Sequence, residues 1–152
     1  MMQVEVGSLK AYLTDFGISK LLLSTKSFTT TMCQGTPGFI SPEKLVCMPP
    51  STGEDVYAFG GVLYELFSEH VLWEGLLPYQ IITKVITGNK SDISNVKCAA
   101  ICEICSDCFQ PIDGRPTMVK VLNMLIHMND WKHNYKLSTP LLFSLSTVAL
   151  IL

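Results

Sequence analysis

The stretch STGEDVYAFGGVLYELF, residues 51 to 67, limits what this chain can become more than any other part of it. Ser51 followed three residues later by Glu54 is a capping-box pattern for a helix start. Beyond it, Val56, Phe59, Gly60, Leu63, Leu66 and Phe67 recur at three- and four-residue steps, the period of one helix face. Tyr57, Val62 and Tyr64 make the other side apolar as well. A helix that is hydrophobic nearly all round predicts a buried axle with other elements packed about it. Composition points the same way. The 152 residues are 48% hydrophobic and 16% charged, against roughly 25% charged in ordinary soluble domains. So little charge leaves apolar surface for a partner, a membrane or a further part of the fold to cover. The net charge of −2, with no basic run, argues against a phosphate-backbone binder and so against nucleic acid.

The flanking elements are shorter. Val4 and Val6 alternate with polar residues, Gly7-Ser8 is a turn signal, and Leu9, Ala11 and Leu13 alternate again, which predicts a short β-hairpin ending at Asp15. Residues 18–36 are rich in Ser and Thr without helical period and read as a loop; PGFISPEK and MPPSTG read as breaks. Residues 78–87 predict an amphipathic helix stopped at Gly88, residues 95–109 another, stopped by QPIDG. Thr117 to about Met128 predicts a last helix with Met118, Val121, Leu122 and Leu125 on one stripe. The expected fold is mainly α: a short β-hairpin followed by a helical bundle.

Four motifs then stand in a meaningful order: DFG at 15–17, GTPGFISPE at 35–43, DVYAFGGVLYEL at 55–66 and DGRPTMVKVLNML at 113–125. In order and spacing they resemble the protein kinase family, from the strand before DFG to the last helix of the C-terminal lobe. The flavour is similar to the tyrosine-kinase-like group with a Ser/Thr-type activation segment, since Gly35-Thr36 follows the Ser/Thr pattern. On that resemblance, residues 1–128 form a partial kinase domain with its activation segment at 15–43, and residues 129–152 lie past it.

The resemblance implies ATP and magnesium as cofactors and protein substrates or docking partners. Asp15 would be the metal ligand and, with Phe16 and Gly17, the nucleotide-site motif. Thr36 would help fix the catalytic aspartate. Ser24, Thr25, Ser27, Thr29, Thr30 and Thr31 lie where activation-segment phosphosites occur, although hydroxyls are common in any polar loop. Glu43 and Arg115 would form a buried ion pair tying the activation segment to the last helices. Asp55 would anchor the backbone of the catalytic loop, though an acid in a first helical turn is also favoured by the helix dipole alone.

Several kinase parts do not occur in these residues. No H-R-D loop with its base Asp, no glycine-rich loop and no strand-borne Lys can be read. The N-terminal lobe is therefore expected to be absent from this chain, and the chain alone is expected not to hold ATP and to be inactive. The alternative is a pseudokinase-like module that binds proteins.

Two features tempt otherwise. Cys98, Cys102, Cys105 and Cys108 resemble a metal cluster, but on a helix Cys98 and Cys108 stand about 15 Å apart, too far for one tetrahedral zinc with Zn–S near 2.3 Å. Small buried hydrophobes are the favoured reading, ahead of metal or redox roles. From Leu137 to Leu152 there is no charge. Helix from Leu137 would be about 24 Å long and from Leu141 about 18 Å, against about 30 Å of hydrocarbon. Membrane contact through 137–152 is the less favoured reading, an extension past the kinase-like region the more favoured. With no secretory signal in MMQVEVGSLK, the expectation is a cytoplasmic chain with reduced thiols.

Overall fold

The computed structural model describes residues 4–5, 8–9 and 35–128. At the N-terminus β1 (Val4–Glu5) pairs antiparallel with β2 (Ser8–Leu9), Val4 opposite Leu9 and Glu5 opposite Ser8. The expected continuation of the hairpin to Asp15 lies outside the described residues, as does the tail 129–152. The body is helical: α1 (Pro42–Leu45), α2 (Thr52–Ser68), α3 (Pro78–Ile86), α4 (Ala99–Cys108) and α5 (Met118–His127), with 3-10 turns at Pro37–Phe39 and Ile112–Gly114.

α2 is the axle that its sequence demands. Val56, Tyr57, Ala58, Gly60, Gly61, Leu63 and Tyr64 are all buried along its 17 residues. Its start is half a capping box. The Ser51 N–H donates to Glu54 Oε1 at 3.3 Å, while Ser51 Oγ is buried with no hydrogen-bond partner among the described residues. Glu54 and Asp55 in the first turn face the positive end of the helix dipole. The helix ends in a left-handed residue, Glu69 at φ 62°.

The glycine pair at its middle explains how close its neighbours come. A Cβ at Gly60 would lie 2.6 Å from Cys108 Cβ on α4, and one at Gly61 would lie 2.8 Å from the Phe39 ring. Each glycine interrupts a good helix at a cost of about 0.5–1 kcal/mol relative to Ala. Here they let α4 press on one side of α2 and the Pro37–Phe39 turn on the other. Around that contact Tyr57 meets Phe109 edge to face, with ring centroids 5.2 Å apart. Ile101, Ile104, Cys105, Cys108 and Val121 fill the same core with at most 2% of their surface exposed.

Element ends differ from expectation where local chemistry wins over periodicity. α4 begins at Ala99, not 95. Residues 95–98 are loop, with Val96 buried and Cys98 at the N-cap. α3 stops where Gly88 takes φ 78°, and Gly88 and Asn89 return their N–H groups to the Val85 and Lys84 carbonyls. The predicted stripe on α5 is only partly inward: Val121 is fully buried, but Met118 and Leu122 are exposed. α1 was not foreseen. It rests on Ser41 as N-cap, whose Oγ accepts from Lys44 N–H at 3.4 Å, and on Pro42, which is preorganised for a first helical turn.

The Gly60 contact is backbone-close, so it gives a sharp expectation. Gly60→Ala lowers stability by about 1–3 kcal/mol, against the gain normally expected for Ala within a helix. Because Cβ rather than Sγ is struck, the loss persists in a Cys108→Ala background. Urea unfolding of the four proteins measures both statements; a stabilised Gly60→Ala would mean that α4 stands further off.

Candidate functional site

Residues 35–45 and the N-terminal half of α2 make the site. Gly35 at φ 133° turns the chain, Thr36 precedes the 3-10 turn, and Ile40 and Ser41 lead into α1. Glu43, the second residue of α1, points inward and meets Arg115, which follows the Ile112–Gly114 turn. The two are 72 positions apart in the chain. Arg115 Nη1 donates to Glu43 Oε1 at 2.5 Å and Nη2 to Oε2 at 3.1 Å, a bidentate fork. The same guanidinium gives Nη1 to the Gly53 carbonyl at 2.7 Å and Nε to the Gln110 carbonyl at 3.1 Å. It also lies over the Tyr57 ring, 5.1 Å from the centroid. One side chain thus fastens α1, the start of α2 and the loop after α4.

Both partners are buried, Glu43 at 5% and Arg115 at 9% exposure. Burial by itself would raise the Glu43 pKa. The hydrogen bonds and charge of Arg115, with backbone and Ser41 contacts, outweigh it and hold the carboxyl below its ordinary 4.5. Tyr57 goes the other way: burial pushes its phenol up to about 12, so it stays neutral beneath the guanidinium.

Beside the pair lies a small open notch, about 330 Å3 counting its mouth, lined by Gly35, Thr36, Ser41, Lys44, Glu54 and Asp55 among others. Lys44 Nζ stands 3.8 Å from Glu54 Oε2. Desolvation raises the carboxyl pKa of both Glu54 and Asp55, and Lys44 opposes it in each case. No hydrogen bond reaches the Asp55 carboxylate among the described residues. The notch therefore offers a free acceptor next to a cation. Its size, solvent included, is at the lower limit of small-molecule pockets.

Thr36, Glu43, Asp55 and Arg115 thus fall within one region, Thr36 and Asp55 in the notch wall and Glu43 bonded to Arg115 behind it. Asp15, Phe16, Gly17, Thr29, Thr30 and Thr31 lie outside the described residues, as do Ser24, Thr25 and Ser27. Four contributors escaped sequence reasoning: Lys44, the Gly53 and Gln110 carbonyls, and the Tyr57 ring, which was read only as part of the apolar surface of its helix.

The cysteines on α4 are core material. Cys105 and Cys108 are fully buried, and Cys102 Sγ faces the Ile93 carbonyl at 3.8 Å. Burial first, then the neighbouring thiols at Cys105 and Asp107 at Cys108, pushes both buried thiols up to about 12, with Arg115 opposing at Cys108. Among the described residues no three His, Cys, Asp or Glu side chains stand together as metal ligands.

Comparison with known proteins places these residues in context. The family model "Protein kinase domain" matches residues 1–132. The LRR receptor-like serine/threonine-protein kinase ERECTA of Arabidopsis thaliana is 36% identical over 131 residues, covering 77% of this chain and 13% of the relative. A rice LRR receptor-like serine/threonine-protein kinase (Oryza sativa subsp. japonica) is 33% identical over 136 residues, 78% of this chain and 14% of the relative. Serine/threonine-protein kinase PkaB of Streptomyces coelicolor is 36% identical over 81 residues, 53% of this chain and 19% of the relative. The chain spans less than a fifth of the length of each of these relatives.

Two measurements follow from the geometry. Glu43→Gln costs about 3–5 kcal/mol, because it leaves the Arg115 charge buried without its counter-ion. The pH dependence has a definite sign. A carboxyl held below 4.5 in the fold contributes stability that is complete above that value and lost as pH falls through the lower folded pKa. The gap between wild type and Glu43→Gln in urea midpoints should thus narrow on acidification and stay constant toward neutrality. Second, Ellman's reagent near pH 8 should modify exposed Cys47 in the native protein and reach Cys105 and Cys108 only after unfolding.

Proposed function

Because the chain belongs to the protein kinase family, we propose that its residues supply the helical platform of an ATP-dependent phosphotransferase acting on serine or threonine hydroxyls of protein substrates. The observation that carries this reading is the buried Glu43–Arg115 fork, which pins the segment from Gly35 to Leu45 against α2 and holds the Asp55 notch in shape. Phosphoryl transfer asks mainly for positioning and charge neutralisation. Within that scheme Asp15 would hold the magnesium, Phe16 would pack under the nucleotide site, and Gly17 would give the loop its backbone freedom. Thr36 orients the catalytic base, and Asp55 seats the loop that carries the base. Thr29, Thr30 and Thr31 are candidate modification sites on the activation segment. The serine/threonine assignment is supported by Gly35-Thr36 and by the names of the relatives.

These 152 residues contain one metal ligand of that scheme but no H-R-D sequence and no glycine-rich loop. As an isolated polypeptide they are expected to be silent in catalysis. A second reading, a pseudokinase-like module docking other proteins, is favoured by apolar side chains exposed on and before α3: Leu77 at 55%, Tyr79 at 64% and Val71 at 62%.

Thermal unfolding with and without millimolar ATP and magnesium tests the first reading. A ligand that binds the native state raises stability by RT ln(1 + [L]/Kd). The expected outcome for residues 1–152 is no shift and no phosphate transferred to a serine-containing peptide. A shift abolished by Asp15→Ala would overturn the expectation of silence and identify a self-sufficient nucleotide site.

A further inference from the structure

α5 carries more apolar surface than its packing uses. At 100° per residue, Val121, Met124, Leu125 and Met128 occupy an arc of about 100° that turns toward α4 and the core. Met118, Leu122, Ile126 and Val119 occupy the next arc, also about 100° wide, and are exposed at 39%, 53%, 63% and 68% respectively. Only Lys120, Asn123 and His127 make a polar strip. A surface helix needs one apolar stripe; this one has two side by side.

We propose that residues 141–152 of the same chain, LLFSLSTVALIL, pack along this second face of α5. Three observations favour that occupant. The segment has no charged side chain, so covering the face desolvates no ion. Its twelve residues would run about 18 Å as a helix beside the roughly 15 Å of α5. It is joined to α5 through a polar stretch, NDWKHNYKLSTP at 129–140, ending in Pro140. Two antiparallel helices need only about 2–5 connecting residues, so that stretch is ample for the reversal. The tether also raises the local concentration of the segment to about the millimolar range. A second copy is the weaker candidate, because it lacks the tether and a stable interface buries roughly 1,000 Å2. A bilayer is weaker too, since about 18 Å of helix does not span about 30 Å of hydrocarbon.

Hydrogen exchange read by mass spectrometry on the full chain tests the contact, with dilute and concentrated samples and with added phosphatidylcholine–phosphatidylserine vesicles. The variants are Leu122→Asp/Ile126→Asp on the helix and Phe143→Asp on the segment. Expected is protection of amides 141–152 by about tenfold or more, equal at both concentrations and without lipid. That protection should be lost in either variant while α2 keeps its own. If the helix variant also deprotects α2, Phe143→Asp carries the test alone, because it leaves the body untouched. Unprotected amides at 141–152 would overturn the proposal, as would protection that survives Phe143→Asp. Protection found only in the concentrated sample would assign the face to a second copy, and protection found only with vesicles would assign the segment to a lipid surface; either result overturns it.

Discussion

Arg115 is the point through which this structure is held. Its guanidinium spends its donors on a carboxylate and two backbone carbonyls that belong to three separate stretches of chain, and its flat face lies on Tyr57. Fully buried charge is costly, and a pair of this kind is not a cheap source of stability compared with a well-packed apolar core. What it provides is uniqueness. An apolar contact at that position would tolerate sliding, whereas a two-toothed fork with two further carbonyl acceptors accepts one arrangement. Everything near the notch inherits that definition: the turn at Pro37–Phe39, the short α1, and the start of α2 where Asp55 stands.

The second organising element is steric. α2 is buried along most of its length, so its neighbours must come close without empty space between them. Gly60 and Gly61 permit that approach on two sides, and Phe109, Phe39 and Leu72 fill the space that side chains there would take. The ion pair fixes where the segment after Gly35 attaches, and the glycines fix how tightly the bundle closes beneath it. The site is thus a surface feature whose geometry is set by two buried contacts, one electrostatic and one of shape.

Much of this could be read from the residues, and the remainder has identifiable reasons for being hidden. α2 was legible because its apolar pattern exceeds what a surface helix needs. α3 was legible through Gly88, whose left-handed backbone is a local property. Arg115 and Glu43 could be joined only through family resemblance, since nothing in either neighbourhood points across 72 positions. α4 began later than its pattern suggested, because Val96 enters the core from a loop and so imitates a helical residue. The α5 stripe was misplaced by part of a turn: Met118 and Leu122 fit the period, but hydropathy does not say which of two adjacent apolar arcs faces inward. α1 is too short for periodicity to register. Lys44 acquired its place beside Glu54 only through tertiary approach.

The glycine contact has a consequence for motion. Helices whose interface consists of large side chains can slip past one another by repacking rotamers, the shear mode by which many domains change shape. α2 and α4 have no such freedom at their crossing. Moving α4 by one turn along α2 would bring Cys108 against Tyr57 or Tyr64 in place of Gly60, with no room for either ring. The pair is therefore held in register at that crossing. Sliding at this contact is thus closed to the two helices, and a displacement of one there carries the other with it.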